Sequence, residues 1–204
     1  RSIGTYQEMV GEGLNVSLVM AGLPGAVSTT LNDKVLTFLN RARKVSLPPL
    51  EQGEVDAFFK RSFDSLGIAI ESGLRRSASA YTAGSPYLLQ LVGHYTCLYA
   101  EDGKVSEESL AEALRTSGDD FQSDVCATTL AALSERDVDF LEAMAELGEP
   151  TSVAAVAEAM GATADYAQKY RRRLIDGGVI KSAGRGKVAF DVPFLAEHLR
   201  RRNE

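Results

Sequence analysis

The chain has 204 residues, of which 45% are hydrophobic and 25% charged, with 22 Lys+Arg against 28 Asp+Glu and a formal net charge of −6. That balance excludes wholesale disorder, collagen-like repeats and a disulfide-built miniprotein, and it leaves room for one or two domains with real cores. The acidic total also argues against coating nucleic acid by bulk charge, though not against a local basic patch.

Residues 1–13 read as the end of a helix closed by Gly11 and Gly13. The apolar run Val16–Ala21 suits a buried strand, stopped by Gly22-Leu23-Pro24-Gly25, and Lys44–Leu47 is a second short strand candidate before Pro48-Pro49. From Glu54 the period becomes helical, with Val55, Phe58, Phe59, Phe63 and Leu66 on one stripe. Helical patterns continue through Ile70–Tyr81, Pro86–Ala100, Ser106–Thr116 and Asp120–Leu133, making an all-helical bundle. Pro86 suits a first helical turn, where its missing N–H costs nothing, and Ser106 suits an N-cap. Pro86–Ala100 is apolar but too short to span a membrane.

A new unit opens at Ser134-Glu135-Arg136-Asp137, a capping box with Asp in the acid position. The helix that follows runs to Leu147 and buries Val138, Leu141 and Met144 or Ala145. Thr151 is the expected cap of a second helix over Ser152–Met160, Gly161-Ala162-Thr163 is a turn, and a third helix covers Ala164–Asp176. Val179–Ser182 and Lys187–Val192 form a hairpin around Ala183-Gly184-Arg185-Gly186, and Phe194–Arg202 forms a last helix.

Three helices and a hairpin are the order of a winged helix-turn-helix. The spacing Ala157, Gly161, Ala167 fits it: small residues let two helices approach, and the glycine permits the tight turn. At 100° per residue the third helix buries Ala167, Tyr170 and Leu174 and turns Asp165, Gln168, Lys169, Arg172 and Asp176 outward, flanked by Arg171 and Arg173. Gln168, Lys169, Arg172 and Arg173 are side chains that can read a major groove, and Lys181, Arg185 and Lys187 on the wing can reach phosphates. The alternative is a solvated or protein-binding face, and Asp165 and Asp176 would oppose phosphates. Arg200-Arg201-Arg202 suits a helix C-terminus better than a nucleic-acid contact.

Chemistry of other kinds is scarce. Cys97 and Cys126 are too few for a disulfide framework and read as buried, reduced thiols of a cytoplasmic protein. The two histidines, His94 and His198, lie far apart and support no metal site, and His94 reads as a core histidine. Around Gly186-Lys187, Lys181 replaces the first glycine of a P-loop and Val188 its Ser/Thr, so that motif fails.

Taken together, Asn15–Pro24, Phe38–Leu50 and Ala83-Gly84-Ser85-Pro86-Tyr87-Leu88 resemble the second half of an AAA+ ATPase of the signal-transduction or origin-recognition kind, with a C-terminal winged helix. The resemblance implies a mainly α chain: residues 1–50 as the α/β tail of a nucleotide-binding core with a sensor-1-like strand, 51–132 as a helical lid, and 133–204 as the winged helix. It implies that Gly84 and Pro86 lie beside a bound nucleotide, although Tyr87 and Leu88 follow where sensor 2 usually has arginine. Sensor 1 usually offers a polar residue where Gly22-Leu23-Pro24 stands. Arg41 and Arg43 stand near the place of an arginine finger, or equally are surface arginines. The P-loop and Mg²⁺-binding acids would lie upstream of Arg1, so ATP or ADP with Mg²⁺ is expected in the longer protein and no cofactor or catalysis in this chain alone. Expected partners are DNA, the upstream half and, through a neighbouring subunit, a homo-oligomer, with no membrane. The favoured function is a nucleotide-dependent switch with a hinge near Leu130–Ser134; the alternatives are a transcriptional regulator with a helical ligand-sensing or dimerisation domain, and a protein–protein scaffold.

Charge is divided along the chain. Residues 161–204 hold 10 basic and 5 acidic residues, a net of +5, whereas residues 1–160 carry a net of −11.

Overall fold

The computed structural model describes residues 2–19, 43, 45 and 47–203. Helix α1 spans Ser2–Gly11, followed by α2 (Gln52–Leu66), α3 (Ser72–Tyr81), α4 (Pro86–Leu98) and α5 (Glu107–Phe121). A π turn over Gln122–Cys126 leads into α6 (Ala127–Ala131), and then come α7 (Glu135–Leu147), β1 (Thr151–Ser152) and α8 (Val153–Ala159). Helix α9 (Ala164–Asp176), strands β2 (Ile180–Ser182) and β3 (Lys187–Phe190), and α10 (Leu195–Asn203) complete the order. Residues 14–19, where a strand is expected to begin, carry no regular structure, and Met20–Ala21 and, of the second candidate, Lys44 and Ser46 lie outside the described residues.

Two compact units result: Leu47–Glu146 with Val192–Glu204, and Leu147–Asp191 with Arg1–Ser46. The helical unit therefore includes all but the last residue of α7 and the whole of α10, whereas the sequence expectation divides the chain after residue 132. Leu130–Ser134, expected as a hinge, lies inside it.

The core of the helical unit gathers Val55, Phe59 and Phe63 of α2 with Ala78, Val92, Val105 and Leu110. Phe59 and Phe63, one helical turn apart, stack at 5.4 Å. Phe58, expected on the same stripe, is 44% exposed, because it lies one residue and about 100° around the helix from Phe59. Gly67 ends α2 at φ 69. Arg75 of α3 donates from Nε and Nη2 to both oxygens of Asp56, at 2.9 and 3.1 Å, tying α2 to α3. This pairing holds the Asp56 carboxyl below the usual carboxylate range. Ser85 caps α4 with Pro86 in the first turn, and Ser106 caps α5 in a reciprocal box with Ser109.

Tyrosines of α4 fasten it to the elements that follow. Tyr87 donates to Asp124 at 2.7 Å and Tyr95 to Asp120, which pushes the Tyr95 phenol up to about 12. His94 is exposed rather than in the core, its ring edge-on to Tyr95: the apolar stretch that contains it has a solvent face. Phe140, Leu141, Met144, Leu195 and Leu199 are fully buried in the second half of this unit. Ser134 and Asp137 form the expected capping box, the Ser134 hydroxyl donating to the carboxylate at 2.6 Å and accepting from the Asp137 N–H. Both cysteines are free; burial pushes the Cys126 thiol up to about 12 and raises Cys97 as well.

In the other unit three short strands make an antiparallel sheet in the order β1-β3-β2. Thr151 pairs with Val188 and Ser152 with Lys187, while Ile180, Lys181 and Ser182 face Phe190, Ala189 and Val188. Thr151 is thus in the sheet and does not cap α8. The cap passes to Ser152, whose hydroxyl accepts from the Ala155 N–H at 3.1 Å. Glu149 accepts from the Phe190 N–H at 2.7 Å. Helices α8 and α9 pack together, and Val153, Val156, Ala157, Ala167, Leu174, Ile180 and Val188 form the buried centre.

Candidate nucleic-acid interface

Gly161 sits at φ 60 in the turn between α8 and α9, a conformation that side chains with a Cβ rarely adopt. Thr163 then caps α9, its hydroxyl accepting from the Tyr166 N–H at 3.3 Å. Ala167, Tyr170 and Leu174 are buried, as the 100° spacing predicts, and that burial fixes how the rest of the helix points. Gln168, Lys169, Arg172 and Arg173 are all exposed. So are Asp165 and Asp176 at either end of the row.

The hairpin adds Lys181, Arg185 and Lys187, all exposed. Gly184 at φ 111 and Gly186 at φ 71 shape the tip, and open space surrounds both. Lys181 pairs with Asp191 at 3.3 Å, which offsets part of its charge. Among the described residues Lys169, Arg172, Arg185 and Lys187 make no ion pair. The structure therefore places every residue expected to meet DNA on the surface of one small unit. Such a surface can hold polyanions through charge and offer Gln168 to a base edge.

Tyr166 lies beside this row, outside the residues that the 100° spacing turns outward. This ring is 41% exposed and rests against Tyr170, whose hydroxyl donates to the Tyr166 hydroxyl at 2.6 Å. The Arg173 guanidinium lies over the Tyr170 ring, 5.0 Å from its centroid. The available signal was the i, i+4, i+7 spacing of Tyr166, Tyr170 and Arg173.

The residues expected near nucleotide lie in the helical unit. Gly84 is buried at φ 74; its carbonyl accepts from the Leu50 N–H at 2.9 Å, and an added Cβ would stand 2.6 Å from the Leu50 carbonyl oxygen. Its backbone is thus packed directly on Pro49-Leu50. Pro86 is exposed in the first turn of α4. Arg43 is exposed, and Arg41 lies outside the described residues. Among the described residues no group of three or more His, Cys, Asp or Glu could hold a metal ion, and no helix is long and apolar enough to cross a membrane.

Comparison with known proteins bears on the fold. The Walker-type ATPase PABY2304 of Pyrococcus abyssi superposes with a TM-score of 0.63 at 17% identity, over 86% of this chain and 50% of that one. The chain shares its fold with half of a Walker-type ATPase. RuvB of Thermotoga maritima, a Holliday junction branch migration motor, matches over 76% of this chain and 50% of its own, at 19% identity and a TM-score of 0.35, too loose an overlap for any inference. The chain thus spans about half the length of the solved structures it matches. Residues 123–199 match the model of a domain of unknown function, DUF8462. No curated protein matches.

Proposed function

We propose that this chain is the lid and winged-helix portion of an ATP-dependent switch, and that its winged helix binds duplex DNA. The observation that carries the DNA reading is the basic surface of one unit: Gln168, Lys169, Arg172 and Arg173 on α9, with Lys181, Arg185 and Lys187 on the hairpin. The order β1, α8, α9, β2, β3, with β3 central, supports the winged-helix reading. In it α9 enters the major groove and the hairpin lies along the backbone. Support for the ATPase reading comes from the fold shared with the Pyrococcus protein.

In this proposal ATP with Mg²⁺ is bound mainly by residues beyond these 204, and the helical unit closes over it with Gly84 and Pro86 nearby. Nucleotide state then acts on DNA binding through differential contacts with two arrangements of the lid. An arginine finger at Arg41 or Arg43 would serve a neighbouring subunit of a homo-oligomer.

An electrophoretic shift with a mixed-sequence duplex tests the DNA reading. Wild type shifts the duplex, and a Lys169→Glu, Arg172→Glu pair does not; equal shifts by both proteins would rule out this face. The ATPase reading is tested separately. The chain alone should show no ATP turnover, and turnover that disappears in Gly84→Ala would contradict the assignment of catalysis to residues elsewhere.

A further inference from the structure

Tyr166 is the third residue of α9, inside the first turn of the helix that the DNA reading places in the groove. It is a large aromatic left 41% exposed although its own helix has a well-packed buried face. By angle it stands on the flank that also carries Lys169 and Arg173, three and seven residues on. Two observations show that its position is built. The ring packs edge-to-face on Tyr170, with centroids 4.8 Å apart, and Tyr170 is itself held in the core at 6% exposure. The Tyr170 hydroxyl donates to the Tyr166 oxygen at 2.6 Å. Because that oxygen is accepting, its own proton is directed away from Tyr170 and is available to a second acceptor.

Resting on the DNA reading, we propose that Tyr166 is a specificity-determining residue, whose hydroxyl donates to an acceptor on a base edge in the major groove. The eligible acceptors are guanine N7 and O6, adenine N7 and thymine O4. Side chains at the start of a recognition helix are the ones that reach base edges. A neutral phenol releases no counterion, so its contribution is independent of salt, unlike that of Lys169 or Arg172. Tyr170 is a positioning residue: its hydroxyl fixes the direction in which the Tyr166 proton points.

The test is selection from a duplex library with a random 20-base-pair centre, using the whole chain as wild type, Tyr166→Phe and Tyr170→Phe. Both variants keep their rings and so keep the packing. Wild type should enrich a motif. Tyr166→Phe should lose discrimination at one base pair of it and bind the wild-type motif about tenfold more weakly, the size of one hydrogen bond, with an unchanged dependence on salt. Tyr170→Phe should show a smaller loss at that same base pair. An unchanged motif and affinity in Tyr166→Phe overturns the proposal, as does a uniform loss with no change of motif, which marks a phosphate contact. Salt-dependent binding by wild type without any enriched motif overturns this inference and leaves the DNA reading standing. No binding by wild type overturns both.

Discussion

The two units treat charge in opposite ways. In the helical unit acids and bases meet: Arg75 with Asp56, Arg115 with Glu112 and Asp119, Arg136 with Asp139, Lys60 with Asp64, and Arg201 with Asp119. In the sheet unit Lys169 and Arg172 of α9 and Lys181, Arg185 and Lys187 of the hairpin face solvent, with Asp191 offsetting Lys181. Charge paired within a unit is less available to a partner; charge left exposed stays available at little benefit to stability. The difference sets a paired helical unit beside an exposed basic surface, and under the DNA proposal substitutions in the two should have different effects.

Substitutions in the helical unit should therefore cost the most stability. Phe59→Ala removes a ring that is 1% exposed and stacked on Phe63, and should destabilise by about 3–5 kcal/mol in denaturant melts. Gly84→Ala sets a Cβ against the Leu50 carbonyl at positive φ and should cost about 1–3 kcal/mol. A melting temperature equal to wild type would show that Pro49-Leu50 moves aside. The Asp56–Arg75 pair should give a pH-dependent effect. The Asp56 pKa is lowered in the fold, so its contribution is present above the ordinary carboxylate pKa and is lost as pH falls through the folded value. Asp56→Asn should thus lower stability at pH 7 by about 1 kcal/mol or more and flatten the loss that sets in as pH falls below the ordinary carboxylate pKa. A variant as pH-sensitive as wild type would assign that loss to other carboxylates.

At the other extreme, Lys169→Glu and Arg172→Glu should change stability by under about 0.5 kcal/mol, since both side chains are exposed. A large loss would show that this row is structural and would erase the contrast between the units.

The sequence carried much of this arrangement, and the reasons for success and failure are local. Helix α9 was legible to the residue because a turn glycine, a buried stripe at 100° spacing and Gly177-Gly178 all agree on its span. The hairpin was legible from its glycine-rich tip. Strand β1 was not: Thr151–Ser152 is two residues long, too short for alternation, and its pairing with Val188 and Lys187 is non-local. The π turn at Gln122–Cys126 left no mark because one extra residue per turn barely disturbs a helical pattern. The exposure of His94 is not legible, because the apolar residues around it mask a solvent face. Within the candidate interface the charged residues are legible from the outward angle, whereas Tyr166 is not, because an aromatic at the edge of a buried stripe looks like core. Its exposure, and the hydroxyl contact with Tyr170, exist only in three dimensions.

The central claim is that the exposed charge of the sheet unit is a DNA-binding surface independent of the helical core. It is tested most directly by fluorescence anisotropy of a labelled duplex titrated with the chain at a series of salt concentrations. If that claim holds, log affinity falls linearly with log salt, and the Lys169→Glu, Arg172→Glu pair, having lost two cations and gained two anions, binds more weakly with a flatter slope while melting like wild type. Identical affinities and slopes for the two proteins would contradict it.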